Sequence, residues 1–157
     1  MTPPMTAARD ARGRYALMFE LETSVVVGVG ALGRLAFPAG QYAYSGSAMA
    51  GLRHRLARHS RRSKVLRWHV DALTVLPSSH IRGAVVFPPD GPGECDVVRM
   101  LCAWEGVRVW PPRFGASDHR CPGHLVHLGD GDGALGTAVV VLTAPEVGGE
   151  WWPRKWL

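Results

Sequence analysis

The chain of 157 residues has no asparagine, two lysines (Lys64 and Lys155) and three cysteines (Cys95, Cys102 and Cys121). Three cysteines cannot all pair with one another, and a reducing compartment keeps thiols free, so a disulfide framework is excluded. No apolar run approaches the length needed to cross a bilayer. Met1 to Arg14 carries Pro3, Pro4 and Asp10 but no apolar signal core. These absences lead us to expect a cytoplasmic protein without membrane association. With 46% hydrophobic and 20% charged residues, the chain is not a disordered one, and its length suits a single domain with a real core.

Because lysine is scarce, the positive charge is arginine charge. Eighteen Lys and Arg stand against 13 Asp and Glu, a formal net charge of +5. Seven of these cations, Arg53, Arg55, Arg58, Arg61, Arg62, Lys64 and Arg67, fall within one 15-residue window. Such a field suits a polyanion, although a charge run also describes a solvated helix face.

Tyr15 to Leu21 has strand character, as do Val25 to Val29, Leu35 to Phe37 and Gln41 to Ser45, which glycines and Pro38 divide into hairpin strands. From Met49 to Ser60 the pattern is helical, with Leu52 and Leu56 four apart among arginines. Trp68 to Leu76 is apolar without a clear period. His80 to Phe87 predicts a strand. Gly93 opens a helix to about Gly106, with the apolar stripe Val97, Met100, Leu101 and Trp104. Leu125 to Leu128 and Ala138 to Leu142 read as short strands joined by a Gly/Asp linker.

Two local patterns mislead. Gly28, Gly30 and Gly33 spell GxGxxG, but Pro38 and Gly40 follow where a dinucleotide site needs a helix. Asp130, Asp132 and Gly133 imitate the start of a calcium loop, yet its twelfth position is Val141 rather than a bidentate Glu.

Gly13-Arg14-Tyr15, Tyr44-Ser45-Gly46, Arg55 with His59, and Glu94 at the start of a helix occur in an order that resembles the GIY-YIG nuclease superfamily. Residues 37–48, Arg55 to His59, Trp68 to Asp71, Glu94-Cys95 and residues 114–125 are similar, more narrowly, to its DUF123 branch. The resemblance covers roughly residues 13 to 128. It implies a small α+β fold, with a mixed or antiparallel sheet flanked by helices. It also implies a metal-dependent DNA endonuclease acting in DNA repair, and an endonuclease III type glycosylase as a partner. The division expected is a flexible leader over residues 1–12, a GIY-YIG-like domain over 13–128, and a linker, extra strand and Trp-rich tail over 129–157.

Hydrolysing a phosphodiester requires a positioned water, a cation over the developing charge and a carboxylate for a hard metal. The resemblance places Tyr15 and Tyr44 at the water and phosphate, although both tyrosines also suit core packing. Arg55 and His59, four apart, share a helical face. Arg55 would stabilise the transition state and His59 would serve as general base or hold the water, unless it is simply an exposed helical histidine. Glu94 would hold Mg²⁺ or Mn²⁺, though a carboxylate in a first helical turn also complements the helix dipole. Gly46, Ser47, Arg53, Arg58, Arg61, Arg62 and Lys64 are the expected nucleic-acid contacts. The superfamily often places an Asn downstream of the Glu, and this chain has none. A non-catalytic DNA-binding module of the same fold is therefore the alternative.

Cys95, His119, Cys121 and His124 form a candidate zinc set, with buried thiols beside structural histidines as the rival reading. His69 and Asp71, two apart, would share a hydrogen bond if their stretch is a strand. The tail Trp151 to Trp156 interleaves aromatics with cations, which suits either stacking on unpaired bases or docking on the body.

Overall fold

The computed structural model describes residues 11–116 and 121–157. Its elements are β1 (Gly13–Leu21), β2 (Val25–Gly28), β3 (Arg34–Phe37), β4 (Gly40–Ala48), α1 (Leu52–Ser60), α2 (Asp71–Thr74), β5 (Ser79–Phe87), α3 (Glu94–Cys102), β6 (Arg108–Val109), β7 (Leu125–Gly129), α4 (Ala134–Thr143) and β8 (Glu150–Pro153). The principal sheet has six strands in the order β6-β7-β4-β1-β5-β8, and every pairing in it is antiparallel. β2 and β3 form a separate two-stranded ladder.

Helices cover both faces of the large sheet, so its central strands lack the polar face of a half-exposed strand. Along β1, Tyr15, Leu17, Phe19 and Leu21 pack with Leu52 and Leu56 of α1 and Leu73 of α2. The alternate residues Ala16 and Met18 pack with Val97, Val98 and Leu101 of α3 and with Ala138 and Leu142 of α4. Tyr42 and Tyr44 share one face, as alternation along β4 requires.

α1 buries Leu52, Leu56 and His59, spaced at i, i+4 and i+7, and leaves its arginines on the remaining surface. Gly93 caps α3, its amide donating to Asp96 Oδ2 at 2.8 Å, and Glu94 and Asp96 complement the dipole in the first turn.

Three sequence expectations change. α3 ends at Cys102 rather than near Gly106, so Trp104 falls outside the stripe and is exposed, while Val98 takes a buried place. Residues 138–142, read as a strand from their valines, lie in α4. There Ala138 and Leu142 face the sheet one turn apart and Val140 is exposed, so packing onto the second sheet face overrides β-propensity. Third, the disulfide exclusion fails for one pair, because Cys95 and Cys121 are bridged with Cα atoms 5.9 Å apart. A separation of 26 residues hides that proximity, which arises where the start of α3 meets the chain entering β7.

The tail resolves in favour of docking. β8 pairs with β5, Trp152 is buried, and its indole donates to Glu150 Oε1 at 2.7 Å. Among the described residues no helix is long and apolar enough to cross a membrane.

Candidate functional site

Nine consecutive pairs align β1 with β4, and the pair Tyr15↔Gly46 sets the floor of the site. A Cβ on Gly46 would meet Tyr15 Cζ and Oη at 2.6 Å. The glycine's role is therefore to admit the phenol ring across the ladder. Expected as a nucleic-acid contact, Gly46 is instead buried.

Tyr15 Oη lies 2.7 Å from His59 Nε2, and both side chains are about 1% exposed. Burial, with the field of Lys64 adding to it, lowers the His59 pKa from 6.5 to about 3, so the ring stays neutral at ordinary pH. Burial also raises the pKa of Tyr15 and Tyr44 well above the usual phenol value, with the Arg55 guanidinium working against it. A protonated phenol beside a neutral imidazole pairs with the phenol donating. The Tyr44 ring closes the cluster, 6.4 Å from Tyr15 and 6.1 Å from His59 between ring centroids.

Two sequence expectations for His59 change: it is buried rather than an exposed helical histidine, and its pKa lies below the near-neutral range. The imidazole lies behind Tyr15 in the core, and the two side chains sit beneath Arg55. A pH prediction follows from the lowered His59 value. Between pH about 6.5 and about 3 the unfolded chain takes up a proton on His59 that the folded chain refuses. This residue's contribution to stability is full above that window and falls by about 1.4 kcal/mol per pH unit through it. Denaturant titrations at successive pH values should show the slope, and His59→Gln, which keeps a polar partner but cannot titrate, should flatten it.

Arg55 is half-buried. It donates from Nη1 to the Ser47 carbonyl at 2.8 Å, and its Cζ lies 4.2 Å above the centre of the Trp68 ring. Arg58 sits on the same tryptophan at 4.3 Å. Both nitrogens of Arg58 donate to Asp71, at 2.9 Å each, and Nη2 also reaches the Val65 carbonyl. Lys64, its side chain 4% exposed, donates to the carbonyls of Arg58 and His59 and to Thr74 Oγ1. Burial pushes the Lys64 amine down to about 8.

Arg58 and Lys64, expected at nucleic acid, are therefore built into the fold, and the physical reason is Asp71. This carboxylate is wholly buried and collects the neighbouring cations and the amides of Arg67 and Trp68. Arg62 is exposed but donates to the carbonyls of Leu76 and Ser79. Arg53 and Arg61 are exposed and make no side-chain hydrogen bond or ion pair among the described residues. His69 and Asp71 do not bond to each other, since their stretch is a turn leading into α2 rather than a strand. His69 Nδ1 accepts instead from the Gly115 amide at 2.8 Å.

Glu94 reaches the same end of the sheet from the opposite face. Ser45 and Ser47 alternate with Tyr44 and Gly46 along β4 and so point towards α3. Ser47 Oγ donates to Glu94 Oε1, Ser45 Oγ donates to the Glu94 carbonyl, and His124 Nδ1 lies 3.1 Å from Glu94 Oε2. The Glu94 side chain keeps 17% of its surface exposed. The site thus brings together Tyr15, Tyr44, Arg55, His59, Ser47 and Glu94. Cys95, Cys121 and His124 gather beside it, and His119 lies outside the described residues.

Sequence reasoning missed the work of Ser45, Trp68 and Asp71. The available signal was an aromatic and an acid following the arginine-rich window at once, where partners for its cations would stand.

A family model described as "Domain of unknown function DUF123" matches residues 14–142. The chain belongs to that family. No curated protein and no solved structure was found to match it.

Proposed function

We propose that the protein is a metal-dependent endonuclease of GIY-YIG type that hydrolyses phosphodiester bonds in DNA. The observation that carries this reading is that Arg55, from the face of the sheet that holds Tyr15 and Tyr44, and Glu94, from the other face, both bond to Ser47, Arg55 to its carbonyl and Glu94 to its hydroxyl. The likeness of the tyrosine, arginine and glutamate order to that superfamily supports it.

The residues present fit a hard cation. Glu94 offers a partly exposed carboxylate and Ser47 a hydroxyl beside it, and such ions are commonly held by one or two carboxylates plus substrate phosphate. When bound, Mg²⁺ or Mn²⁺ would supply Lewis acidity at the phosphate. Arg55 places a fixed positive charge across the same residue, Ser47, aimed by the Ser47 carbonyl, the Trp68 face and the phenol below. Its rigid fork suits two phosphate oxygens. Tyr15 and His59 keep that geometry without changing charge near neutral pH. The test is incubation with plain, flapped and abasic DNA, with and without Mg²⁺ or Mn²⁺. Divalent-dependent scission is expected, and no product from any substrate would overturn the assignment.

A second reading is a non-catalytic DNA-binding module. It draws on the burial of Tyr15 and His59, which withdraws two polar groups from direct reach of a phosphate. Both readings need a DNA surface, and Arg53 and Arg61 are its candidates. Replacing both by Ala should weaken binding to all sequences alike and reduce the log–log salt slope by roughly 2, about 0.9 per lost phosphate contact. Fluorescence anisotropy across a salt series reads this, and an unchanged slope takes these arginines out of the interface.

A further inference from the structure

Among the described residues outside the Arg55–Tyr15 cluster, ligating atoms gather at Cys95 Sγ, Cys121 Sγ and His124, all within 4.8 Å of one another. His124 Nε2 lies 3.0 Å from Cys121 Sγ and 3.8 Å from Cys95 Sγ. We infer that, with its two thiols reduced, this cluster binds a soft divalent metal of the zinc class, and that the Cys95–Cys121 disulfide is the oxidised, metal-free form of the same site.

Three features carry the inference. First, the donor set is two sulfurs and one imidazole, the chemistry that selects zinc over Mg²⁺ or Ca²⁺. Second, the spacing suits one ion. Metal–sulfur bonds of about 2.3 Å at tetrahedral angles put ligand atoms about 3.7 Å apart, so opening the bridge needs only a small separation of two sulfurs already beside the ring nitrogen. Third, His124 is buried, and its other nitrogen lies 3.1 Å from Glu94 Oε2. A carboxylate on the far nitrogen is the usual outer partner of a metal-binding histidine, fixing its tautomer and ring orientation.

The conversion balances with a dithiol as reductant. The disulfide takes up two electrons and two protons to give two thiols, and the dithiol becomes a disulfide. Metal binding then releases the thiol protons, leaving two thiolates on the ion. Because Glu94 is shared between His124 and the nuclease site proposed above, the state of the sulfurs sets the carboxylate's surroundings. Metal binding at the cluster itself does not depend on the nuclease reading.

The test uses the whole chain, reduced with a dithiol that is then removed under anaerobic conditions, and titrated with Co²⁺ as a spectroscopic probe. The expected result is saturation at about one equivalent with sulfur-to-cobalt charge-transfer absorption, displaced by Zn²⁺. The oxidised chain should give no such band. Cys95→Ser and Cys121→Ser should each lose most of the band, and Cys102→Ser should keep it. Alkylation of the wild-type chain, mapped by mass spectrometry, needs no variant to fold: Zn²⁺ should protect Cys95 and Cys121 but not Cys102. Reduced, folded chain that binds no Co²⁺, or equal alkylation of Cys95 and Cys121 with and without Zn²⁺, overturns the inference.

Discussion

Arg55→Ala is expected to lower the rate of DNA cleavage by roughly 10²–10³-fold, the cost of removing one preorganised donor from a developing charge. Glu94→Gln should lower it at least as far, since the amide retains a neutral hydrogen-bonding shape towards Ser47 and His124 but loses the charge that would hold the metal. Duplex affinity should change little in either variant, because the exposed Arg53 and Arg61 remain. Single-turnover cleavage beside equilibrium binding separates the two effects. Cleavage by Glu94→Gln at the wild-type rate would sink the nuclease reading and leave the binding module standing.

The largest loss of stability is expected from Asp71→Ala. The carboxylate is wholly buried, and its removal leaves Arg58 and Lys64, whose side chains are 12% and 4% exposed, with neutral acceptors only and no charge to balance theirs. Breaking a buried pair in this way costs about 3–5 kcal/mol, which chemical denaturation would read directly. Burial alone would raise the Asp71 pKa, but hydrogen bonds from Arg58, Trp68 and Arg67 outweigh it and hold the carboxyl below its ordinary value. Its contribution is therefore present above the unfolded carboxylate range and lost as pH falls through the lower folded value. Cleavage should fall as well, since Asp71 accepts the Trp68 amide and so sets the ring on which Arg55 lies. A variant as stable as wild type would show that Arg58 and Lys64 find other partners.

The central strands and the arginine helix were legible because their signals are local. Alternation carried Tyr42 and Tyr44 to one face, and Leu52 and Leu56 fixed the buried side of α1. Glu94 was placed correctly at the first turn of its helix. What stayed hidden depends on partners distant in sequence. Nothing near Arg58 or Lys64 distinguishes a cation held by a buried acid from one facing solvent, and Asp71, with Thr74 and the carbonyls around it, decides the matter. Nothing in the local sequence shows that His59 is covered by Tyr15, 44 residues away. The valines of α4 favoured a strand, and only the uncovered second face of the sheet accounts for a helix there.

The two tyrosine strands are joined by a detour. Pairing of β1 with β4 ends at Leu21↔Gly40, so residues 22–39 lie outside that ladder and carry the β2–β3 hairpin. Closing an 18-residue connection instead of a two-residue turn costs only about 2 kcal/mol of chain entropy, because the penalty grows with the logarithm of length. Burial of Val29 and Phe37 against the main core offsets it. A change in the length of the exposed β2–β3 turn should therefore cost little stability and leave the register that seats both phenols unchanged, provided that Val29 and Phe37 keep their places in the core.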